Sequence, residues 1–405
     1  MELIVGDYEI NKSGPMDQYD IAVIGAGPAG SMAAKYAAKA GSCVILLEEH
    51  SCIGWPVECA GLLGEKAMQE SELSATSIAG RGMRGAAVFS PGGFHLKFKA
   101  DECKAWVVDR RLFDRSLALD ALKCGAELRL RSSVRRIETD GEHRILKLAD
   151  GEVIQAKIAI SAEGVRARLA RSAGILPSRR ILSGAQVEAP FAVDDAQLVE
   201  VHLGEAPGLF AWVIPTGEDE ARIGLCARDR GCERLRAFLK KDVIRKRLLG
   251  SPIALNVGGL PLGPPEKTVA DGFLAVGDAA GQVKPTSGGG VYPGLVAAKI
   301  AGRVASQAAS DGDCSAKRLR EYDRLWRAAL GRELAVGMKA NLALEKMSAA
   351  EIDELVCYLA SKPALLRTIE EHGDIDRPSR LMARMLLRLD WDGVRLARLL
   401  WHALL

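Results

Sequence analysis

The sequence predicts an α/β fold in which a parallel-sheet domain carries an inserted antiparallel sheet and ends in a helical region. The first observation is an apolar run, Ile21 to Ile24, that enters a Gly-x-Gly-x-x-Gly turn and then a helical pattern over residues 31–39. Residues 181–226 instead contain short strand patterns separated by turn residues, as in a separate antiparallel sheet. From residue 315 onward the pattern is helical.

The glycine turn predicts a dinucleotide site. Gly25 permits a tight turn, Gly27 lets the backbone approach a pyrophosphate, and Gly30 lets the following helix pack closely on its strand. The helix N-terminus offers unpaired N–H groups to phosphate oxygens. The next strand, residues 43–47, ends at Glu48, eighteen residues after Gly30, where a carboxylate can accept hydrogen bonds from an adenosine ribose.

The middle of the chain continues with alternating elements. Pro91-Gly92-Gly93 divides an alternating stretch, residues 84–100, which predicts a hairpin. The other predicted elements are helices over 64–72, from about 110 to 123 and over 233–249, strands over 126–130 and 157–162, and hairpin strands over 134–148. A strand over 272–276 followed by a helix to about 309 is a second strand–helix pattern of the nucleotide-binding type.

Composition excludes several classes of function. The 405 residues carry a net charge of only +3, which does not predict a nucleic-acid partner. Nine cysteines occur without any Cys-x-x-Cys pair, so neither an iron–sulfur cluster nor another metal site is expected. The acidic N-terminus does not predict a secretion signal, and no apolar run reaches the ~18 residues of a membrane span. A cytoplasmic protein with reduced thiols is therefore expected.

A second glycine-rich region predicts which dinucleotide binds. The strand over 272–276 ends in Gly277-Asp278, whose carboxylate can bind ribityl or ribose hydroxyls. The turn 288–290 leaves backbone N–H groups free for the pyrimidine edge of a flavin, where negative charge collects on reduction. Together with the first turn and a Glu163-Gly164 turn between them, this pattern favours FAD over NAD as the resident cofactor.

At these residues the chain resembles a known family. Pro56-Val57-Glu58-Cys59, Asp109-Arg110, the segment 207–215 and Gly277-Asp278 resemble the geranylgeranyl reductases, archaeal digeranylgeranylglycerophospholipid reductases in particular, within the p-hydroxybenzoate-hydroxylase-like FAD fold. The resemblance covers about residues 19–345. It implies a Rossmann-like FAD-binding domain (17–75, 101–175 and 262–310), an antiparallel-sheet substrate domain (76–100 and 176–261) and a C-terminal helical region (311–405).

The resemblance also implies a set of site residues. The expected cofactor-binding residues, including those of the glycine turn, are Gly25, Gly27, Ala29, Gly30, Glu48, Cys59, Ala60, Leu62, Arg110, Val134, Asp278, Gly290 and Val291. Trp212 falls where the family packs a lipid chain against the reacting face, with Phe210 and Ile214 as further lining of an apolar tunnel. Phe210 and Ile214 replace a tyrosine and a phenylalanine of the family signature.

The activity implied is FAD-dependent saturation of C=C bonds in the geranylgeranyl chains of archaeal-type membrane ether lipids. Such a reaction needs a hydride at one carbon and a proton at the other, and flavin N5 can supply the hydride. Cys59 is the expected second participant and Tyr292 a further candidate; the alternatives are a packed loop thiol and a structural tyrosine. No second dinucleotide motif is present for NADPH, which favours a ferredoxin or another reductase as the electron donor. The resemblance also leaves NAD(P)H open, because some members of the family use it without such a motif.

Three other functions fit parts of the pattern. A flavin monooxygenase of the same fold is the nearest, but the lipid-type segment 207–215 disfavours it. A quinone oxidoreductase of the electron-transfer-flavoprotein type would need a cysteine cluster near the C-terminus, where only Cys314 and Cys357 follow residue 232. A non-catalytic isoprenoid-lipid carrier that retains its flavin is the third alternative.

The C-terminal stretch, residues 379–405, combines arginines with Leu, Met and Trp. That composition suits a helix lying on an anionic lipid surface, and equally a helix packed on the protein's own core with its arginines outward. A lipid substrate favours the first interpretation, which places the protein peripherally on the inner face of the cell membrane.

Overall fold

The computed structural model describes residues 18–388 except 75–77, 79 and 177–179, together with residues 390 and 393. The N-terminal residues 1–17 and most of the C-terminal stretch beyond 388 lie outside the described part. The strands are β1 (Gln18–Ile24), β2 (Val44–Leu47), β3 (Leu62–Gly64), β4 (Arg81–Met83), β5 (Gly85–Phe89), β6 (His95–Lys99), β7 (Ala105–Val107), β8 (Glu127–Arg129), β9 (Val134–Asp140), β10 (His143–Leu148), β11 (Val153–Ser161), β12 (Arg180–Pro190), β13 (Leu198–His202), β14 (Ala211–Pro215), β15 (Glu220–Ala227), β16 (Ala254–Leu262), β17 (Val269–Ala270) and β18 (Phe273–Ala275). The helices are α1 (Pro28–Lys39), α2 (Glu65–Ser71), α3 (Arg110–Lys123), α4 (Arg168–Ser172), α5 (Gly231–Leu239), α6 (Asp242–Arg245), α7 (Val291–Asp311), α8 (Ala316–Trp326), α9 (Arg332–Lys346), α10 (Ala349–Ala360), α11 (Pro363–His372) and α12 (Pro378–Leu386).

The first sheet is the predicted parallel one. Its strand order is β17-β18-β11-β1-β2-β8, with β1 parallel to both β11 and β2. Residues 21–24 of β1 are all buried because α1, α3 and α7 cover one face and the β9–β10 hairpin with α4 covers the other. This double cover explains why β1 is an unbroken apolar run rather than an alternating one.

Small residues bring the helices of this layer close together. A side chain at Gly302 of α7 would place its Cβ 2.4 Å from the carbonyl oxygen of Ala33 in α1, so only glycine allows this approach. Ala33, Ala34 and Ala37 form the facing surface of α1. The close α1–α7 pair brings the two glycine-rich turns, which precede these helices, to the same edge of the sheet.

The second sheet is antiparallel apart from one pair and has the order β16-β12-β15-β14-β13-β5-β6. It joins strands from residues 180–262 to the predicted 84–100 hairpin, which forms β5 and β6. A third, three-stranded sheet has the order β3-β7-β4, and its strands alternate along the chain with β5 and β6 of the second sheet. The fold is therefore the mixed α/β architecture expected, with separate parallel and antiparallel sheets and a helical C-terminal part.

The predicted helix over 233–249 is wrong in its extent. Helix α5 ends at Leu239, Lys241 adopts an extended conformation with ψ of 139°, and α6 covers only four residues. After α6 the chain is no longer helical, and Leu248 forms a β-bridge with Phe191. The helical C-terminal region includes a short π-helix, Arg327–Gly331, between α8 and α9. Among the described residues, no helix is both long enough and apolar enough to span a membrane.

Candidate functional site

A polar cavity of about 400 Å³ lies at the carboxyl ends of β1, β2 and β11. This is the edge where parallel strands converge and where open α/β sheets bind their ligands. The loop 54–59, the N-terminus of α3 and the turns around residues 277 and 290 close its other sides. The predicted site residues that line it are Gly25, Gly27, Ala29, Glu48, Cys59, Arg110, Val134, Asp278, Gly290 and Val291.

The first glycine turn has the geometry that its sequence predicts. Gly25 has φ of +98°, a left-handed conformation, and a Cβ there would lie 2.4 Å from the carbonyl oxygen of Ala162. A Cβ at Gly30 would lie 1.8 Å from the carbonyl oxygen of Gly25, so Gly30 serves the contact between helix and strand and does not line the cavity. A Cβ at Gly27 would meet nothing within 4 Å, which leaves its backbone open to a ligand.

Glu48 ties the end of β2 to the glycine turn. Its Oε2 accepts a hydrogen bond from the backbone N–H of Ala26 at 2.9 Å, and its Oε1 accepts one from the backbone N–H of His50 at 3.0 Å. The His50 ring nitrogen Nδ1 lies 2.6 Å from the same Oε1. The carboxylate thus holds two backbone segments in place while it lines the cavity.

Arg110 lies at the start of α3, which Asp109 caps by accepting a hydrogen bond from the Arg111 backbone N–H. The guanidinium donates two hydrogen bonds to Asp114, both at 2.9 Å, and both side chains are largely buried. Burial opposes the charged form of Arg110, but Asp114 and then Cys59 hold its pKa above the usual range for arginine. The Nε and Nη2 donors of Arg110 are therefore engaged by Asp114, and Arg110 lines the cavity as one half of a buried ion pair.

Asp278 has no hydrogen-bond donor among the described residues. Burial raises the pKa of its carboxyl group to about 6; the Arg110 charge opposes that rise and the Glu58 charge adds to it. Gly290 leaves room for it, because a Cβ there would lie 2.6 Å from Asp278 Oδ1. A cavity-lining carboxylate that lacks a protein donor suits a ligand that carries hydroxyl groups.

A second, mainly apolar cavity of about 490 Å³ lies between the antiparallel sheet, the third sheet and the C-terminal helices. Phe210, Trp212 and Ile214, which were expected to contact the substrate, are among its lining residues. The indole Nε1 of Trp212 donates a hydrogen bond to Gln186 Oε1 at 3.0 Å, and the Phe210 ring meets Trp212 edge-on at 6.3 Å. The tryptophan is therefore held in one orientation against the cavity.

The C-terminal region supplies one wall of the apolar cavity. The loop between α11 and α12 reaches the second glycine turn, where Lys284 Nζ bonds Asp376 Oδ1 at 2.5 Å and the carbonyl oxygen of Ile375 at 3.1 Å. Lys284 and Asp376 are both buried. Residues 369–381 contribute several lining positions, a role that the sequence alone did not predict.

The two cavities meet at a small group of shared lining residues. These are Glu58, Cys59, Gly259, Leu260 and Gly288. The Cys59 Sγ accepts a hydrogen bond from the Gly61 backbone N–H at 3.3 Å. Sequence reasoning placed Cys59 at the site but gave no role to Glu58, although the motif that was quoted for the resemblance contains both.

Besides Gly30, three predicted site residues do not line the polar cavity. Ala60 and Leu62, expected along the cofactor, line the apolar cavity instead, because the chain turns into β3 directly after Cys59. Tyr292 lines neither cavity: its side chain is buried in the core beneath α7, and its hydroxyl accepts a hydrogen bond from Arg377 at 3.4 Å. The carboxylate of Glu163 accepts hydrogen bonds from the backbone N–H groups of Leu169 and Ala170 at the N-terminus of α4.

A parallel sheet with two glycine turns at one edge, joined to an antiparallel sheet that walls an apolar cavity, is the fold of the FAD-dependent oxidoreductases. Solved structures agree. A geranylgeranyl bacteriochlorophyll reductase-like protein from Thermoplasma acidophilum superposes with a TM-score of 0.79 at 25% identity, covering 91% of this chain and 100% of its own. A mutant of the halogenase PltM in complex with FAD shares the fold at 14% identity, with a TM-score of 0.66 over 91% of this chain and 86% of its own.

Sequence comparison is more specific. A digeranylgeranylglycerophospholipid reductase from Methanocaldococcus jannaschii is 37% identical over 354 residues, 84% of this chain and 90% of that protein. The family model described as lycopene cyclase protein matches residues 20–356. The chain belongs to the family of the digeranylgeranylglycerophospholipid reductases, and the resemblance inferred from its motifs is confirmed.

Proposed function

We propose that this chain is an FAD-dependent reductase that saturates C=C bonds in the geranylgeranyl chains of archaeal-type membrane ether lipid precursors. The observation that carries the proposal is the junction at Cys59 and Gly288, where the polar dinucleotide-type cavity and the apolar cavity share lining residues. A redox cofactor and a greasy chain could meet only at such a junction. The names of the relatives support the same substrate class.

The residues of the polar cavity fit FAD. The open backbone at Gly27 and the N-terminus of α1 suit the pyrophosphate. The carboxylate of Asp278 accepts no hydrogen bond from the described residues, so it can accept hydrogen bonds from the ribityl hydroxyls. Arg110, ion-paired with Asp114, lines the same cavity. When bound and reduced, FAD supplies a hydride from N5.

The remaining work falls to the chain itself. The apolar cavity, with Trp212 held by Gln186, binds the polyprenyl chain, orients one double bond towards the junction and excludes water. Cys59 at the junction delivers the proton to the second alkene carbon, and solvent restores it. Hydride and proton together add two hydrogens to each double bond.

The partners follow from this chemistry. A ferredoxin or NAD(P)H donates the electrons, and the protein works in the cytoplasm at the inner face of the membrane that holds its substrate. Helix α12 begins the arginine-rich C-terminal stretch and lies partly on the protein, since the Ser379 backbone N–H donates to Glu333 Oε2 at 3.2 Å and Leu381 lines the apolar cavity. Most of the remainder of that predicted membrane helix, including residues 394–405, lies outside the described residues.

The test is a single-turnover experiment without oxygen. The purified FAD-loaded chain is reduced chemically and mixed with a digeranylgeranyl glycerophospholipid dispersed in detergent. We expect the absorbance of oxidised flavin to return and the lipid to gain two hydrogens per reduced bond by mass spectrometry. A control mixture with a fully saturated lipid should leave the flavin reduced.

The alternatives give different results in the same experiment. A non-catalytic carrier would bind the lipid and leave the flavin reduced. A monooxygenase would give no product until oxygen is admitted, and the product would then gain oxygen rather than hydrogen. Either outcome would refute the proposed reductase.

A further inference from the structure

An exposed apolar row follows β16, which is an edge strand of the antiparallel sheet. Ile253, Leu255 and Val257 alternate along the chain, so they share one face, and they are 71%, 59% and 48% exposed. Leu249, just before the strand, and Val243 of α6 are exposed as well. Within the described part of the chain, β16 pairs with β12 and leaves its other edge open. Exposed apolar rows of this kind on an open edge mark interaction sites or invite aggregation.

The packing of the sheet explains why the row stays exposed. Leu255 lies opposite Val187 and Val257 opposite Ala185 on β12, and these two partners are buried in a core that includes Leu235 of α5. Helix α5 thus covers the inner strands, while the same face of the edge strand extends beyond that cover. The exposed row is a continuation of a buried apolar surface.

The segment beside this row is strongly basic. Residues 240–247 contain Lys240, Lys241, Arg245, Lys246 and Arg247 against a single acid, Asp242. All but Arg247 are exposed. Asp242 lies 3.1 Å from Arg245 and 3.0 Å from Lys246, and Glu205 lies 2.5 Å from Lys241. Arg247 pairs with Glu200 and Asp194, so the four exposed cations exceed their carboxylate partners by two. Exposed apolar side chains beside excess positive charge are the combination that binds an anionic lipid surface.

We propose that the edge-strand face, formed by Val243, Leu249, Ile253, Leu255, Val257 and the basic segment 240–247, docks on an anionic lipid bilayer. The proposal rests on the proposed function in one respect: a lipid substrate must be drawn from a membrane. Asn256, Val257 and Gly258 of the same strand also line the apolar cavity. The docked edge therefore lies next to the place where a polyprenyl chain would be bound.

A second copy of the chain is the other occupant that such an edge could take. Edge-to-edge pairing around a two-fold axis would continue the sheet from one copy into the other, so the apolar row of each copy would stay exposed on the face of the joined sheet. A bilayer instead covers the row, and its anionic headgroups neutralise the excess cations beside it. Charge complementarity therefore favours the bilayer.

The experiment is vesicle flotation of the FAD-loaded full chain. Vesicles contain either phosphatidylcholine alone or equal parts of phosphatidylglycerol and phosphatidylcholine. We expect the wild-type chain to float with the anionic vesicles at low salt and to lose about tenfold or more of this partitioning in Ile253→Asp/Leu255→Asp and in Lys240→Glu/Lys246→Glu. Phe94→Asp, at an exposed apolar position in the 91–94 hairpin turn, is the matched control and should float like wild type.

Three measurements keep the outcome decisive. The absorbance spectrum of the bound flavin and the thermal unfolding profile verify that each variant is folded. Sedimentation velocity reports whether Ile253→Asp/Leu255→Asp dissociates a dimer; a dimer that disappears in this variant, without vesicle binding by wild type, would overturn the lipid proposal. Flotation of the variants equal to that of wild type would overturn it as well.

Failure of the docking proposal is distinguishable from failure of the proposed function. With substrate dispersed in detergent no docking is needed, so the edge-strand variants should reduce it at the wild-type rate. Loss of flotation together with retained reduction in detergent supports both proposals. A wild-type chain that floats but reduces nothing would refute the reductase and leave the docking surface standing.

Discussion

Replacing Asp278 by asparagine should move two properties in opposite directions. Asp278 lines the polar cavity without a donor among the described residues, and burial raises the pKa of its carboxyl group to about 6. In the flavin-free protein, the ionised carboxylate is therefore a cost to folding. In the flavin complex it is a strong acceptor for ribityl hydroxyls. Asp278→Asn should stabilise the flavin-free chain at neutral pH and weaken FAD binding.

The magnitudes follow from the pKa and from hydrogen-bond strengths. A rise of the pKa from 3.8 to about 6 corresponds to about 3 kcal/mol, and solvent contact at the cavity reduces the expected gain to about 1–2 kcal/mol. Because the folded pKa is the higher one, the stability of the protonated form is present below pH 3.8 and lost as pH rises through about 6. Hydrogen bonds to a charged acceptor contribute about 1.5–3 kcal/mol, so FAD affinity should fall about 10- to 100-fold.

Two assays check this pair of effects. Urea unfolding of the flavin-free chains at pH 8 and pH 5 should show the advantage of Asp278→Asn shrinking at the lower pH. Quenching of flavin fluorescence gives the dissociation constants, and wild-type affinity should itself weaken below about pH 6 as Asp278 takes up a proton. Asp278→Glu, which keeps the charge, is the matched control. An asparagine variant that binds FAD like wild type, or is no more stable at pH 8, would refute the reasoning.

Three further predictions concern the glycine turn, the junction and the apolar cavity. Gly30→Ala places a Cβ 1.8 Å from the Gly25 carbonyl oxygen and should cost about 1–3 kcal/mol of stability by urea unfolding, whereas Gly27→Ala should unfold like wild type and lose FAD affinity only. Cys59→Ala should slow lipid reduction about 10²- to 10⁴-fold in stopped-flow measurements while FAD remains bound. Trp212→Leu removes the indole that lines the cavity and should raise the KM for the lipid by about tenfold, with the flavin spectrum unchanged.

Each of these has a result that contradicts it. Equal destabilisation by Gly30→Ala and Gly27→Ala would contradict the assignment of Gly30 to helix–strand packing and of Gly27 to ligand approach. Undiminished turnover of Cys59→Ala would assign the proton to another group at the junction, with Glu58 the first to test. An unchanged KM in Trp212→Leu would place the polyprenyl chain away from the indole.

Local sequence was sufficient to predict the elements that are defined by local physics. The apolar run of β1, the glycine turn and the helix after it follow from strand burial on both faces, from the left-handed conformation of Gly25 and from the close contact at Gly30. The 84–100 hairpin and the length of α2 were predicted for similar reasons. The full extent of the helix over 233–249 was not, because Lys241 adopts an extended conformation and Leu248 pairs with Phe191, which is distant in sequence.

The family and its cofactor class were also readable in the sequence, since short motifs carry both. The sequence alone determined that two glycine turns, a strand-end Glu48 and a strand-end Asp278 are present in the order that a flavin site requires. Only the tertiary structure decided which residues line each cavity. In the folded chain Tyr292 is buried in the core, and Ala60 and Leu62 line the apolar cavity. Residues 369–381 form one wall of that cavity. The reason is physical: a cavity is bounded by side chains that are distant in sequence, and no local pattern specifies which distant surfaces will meet.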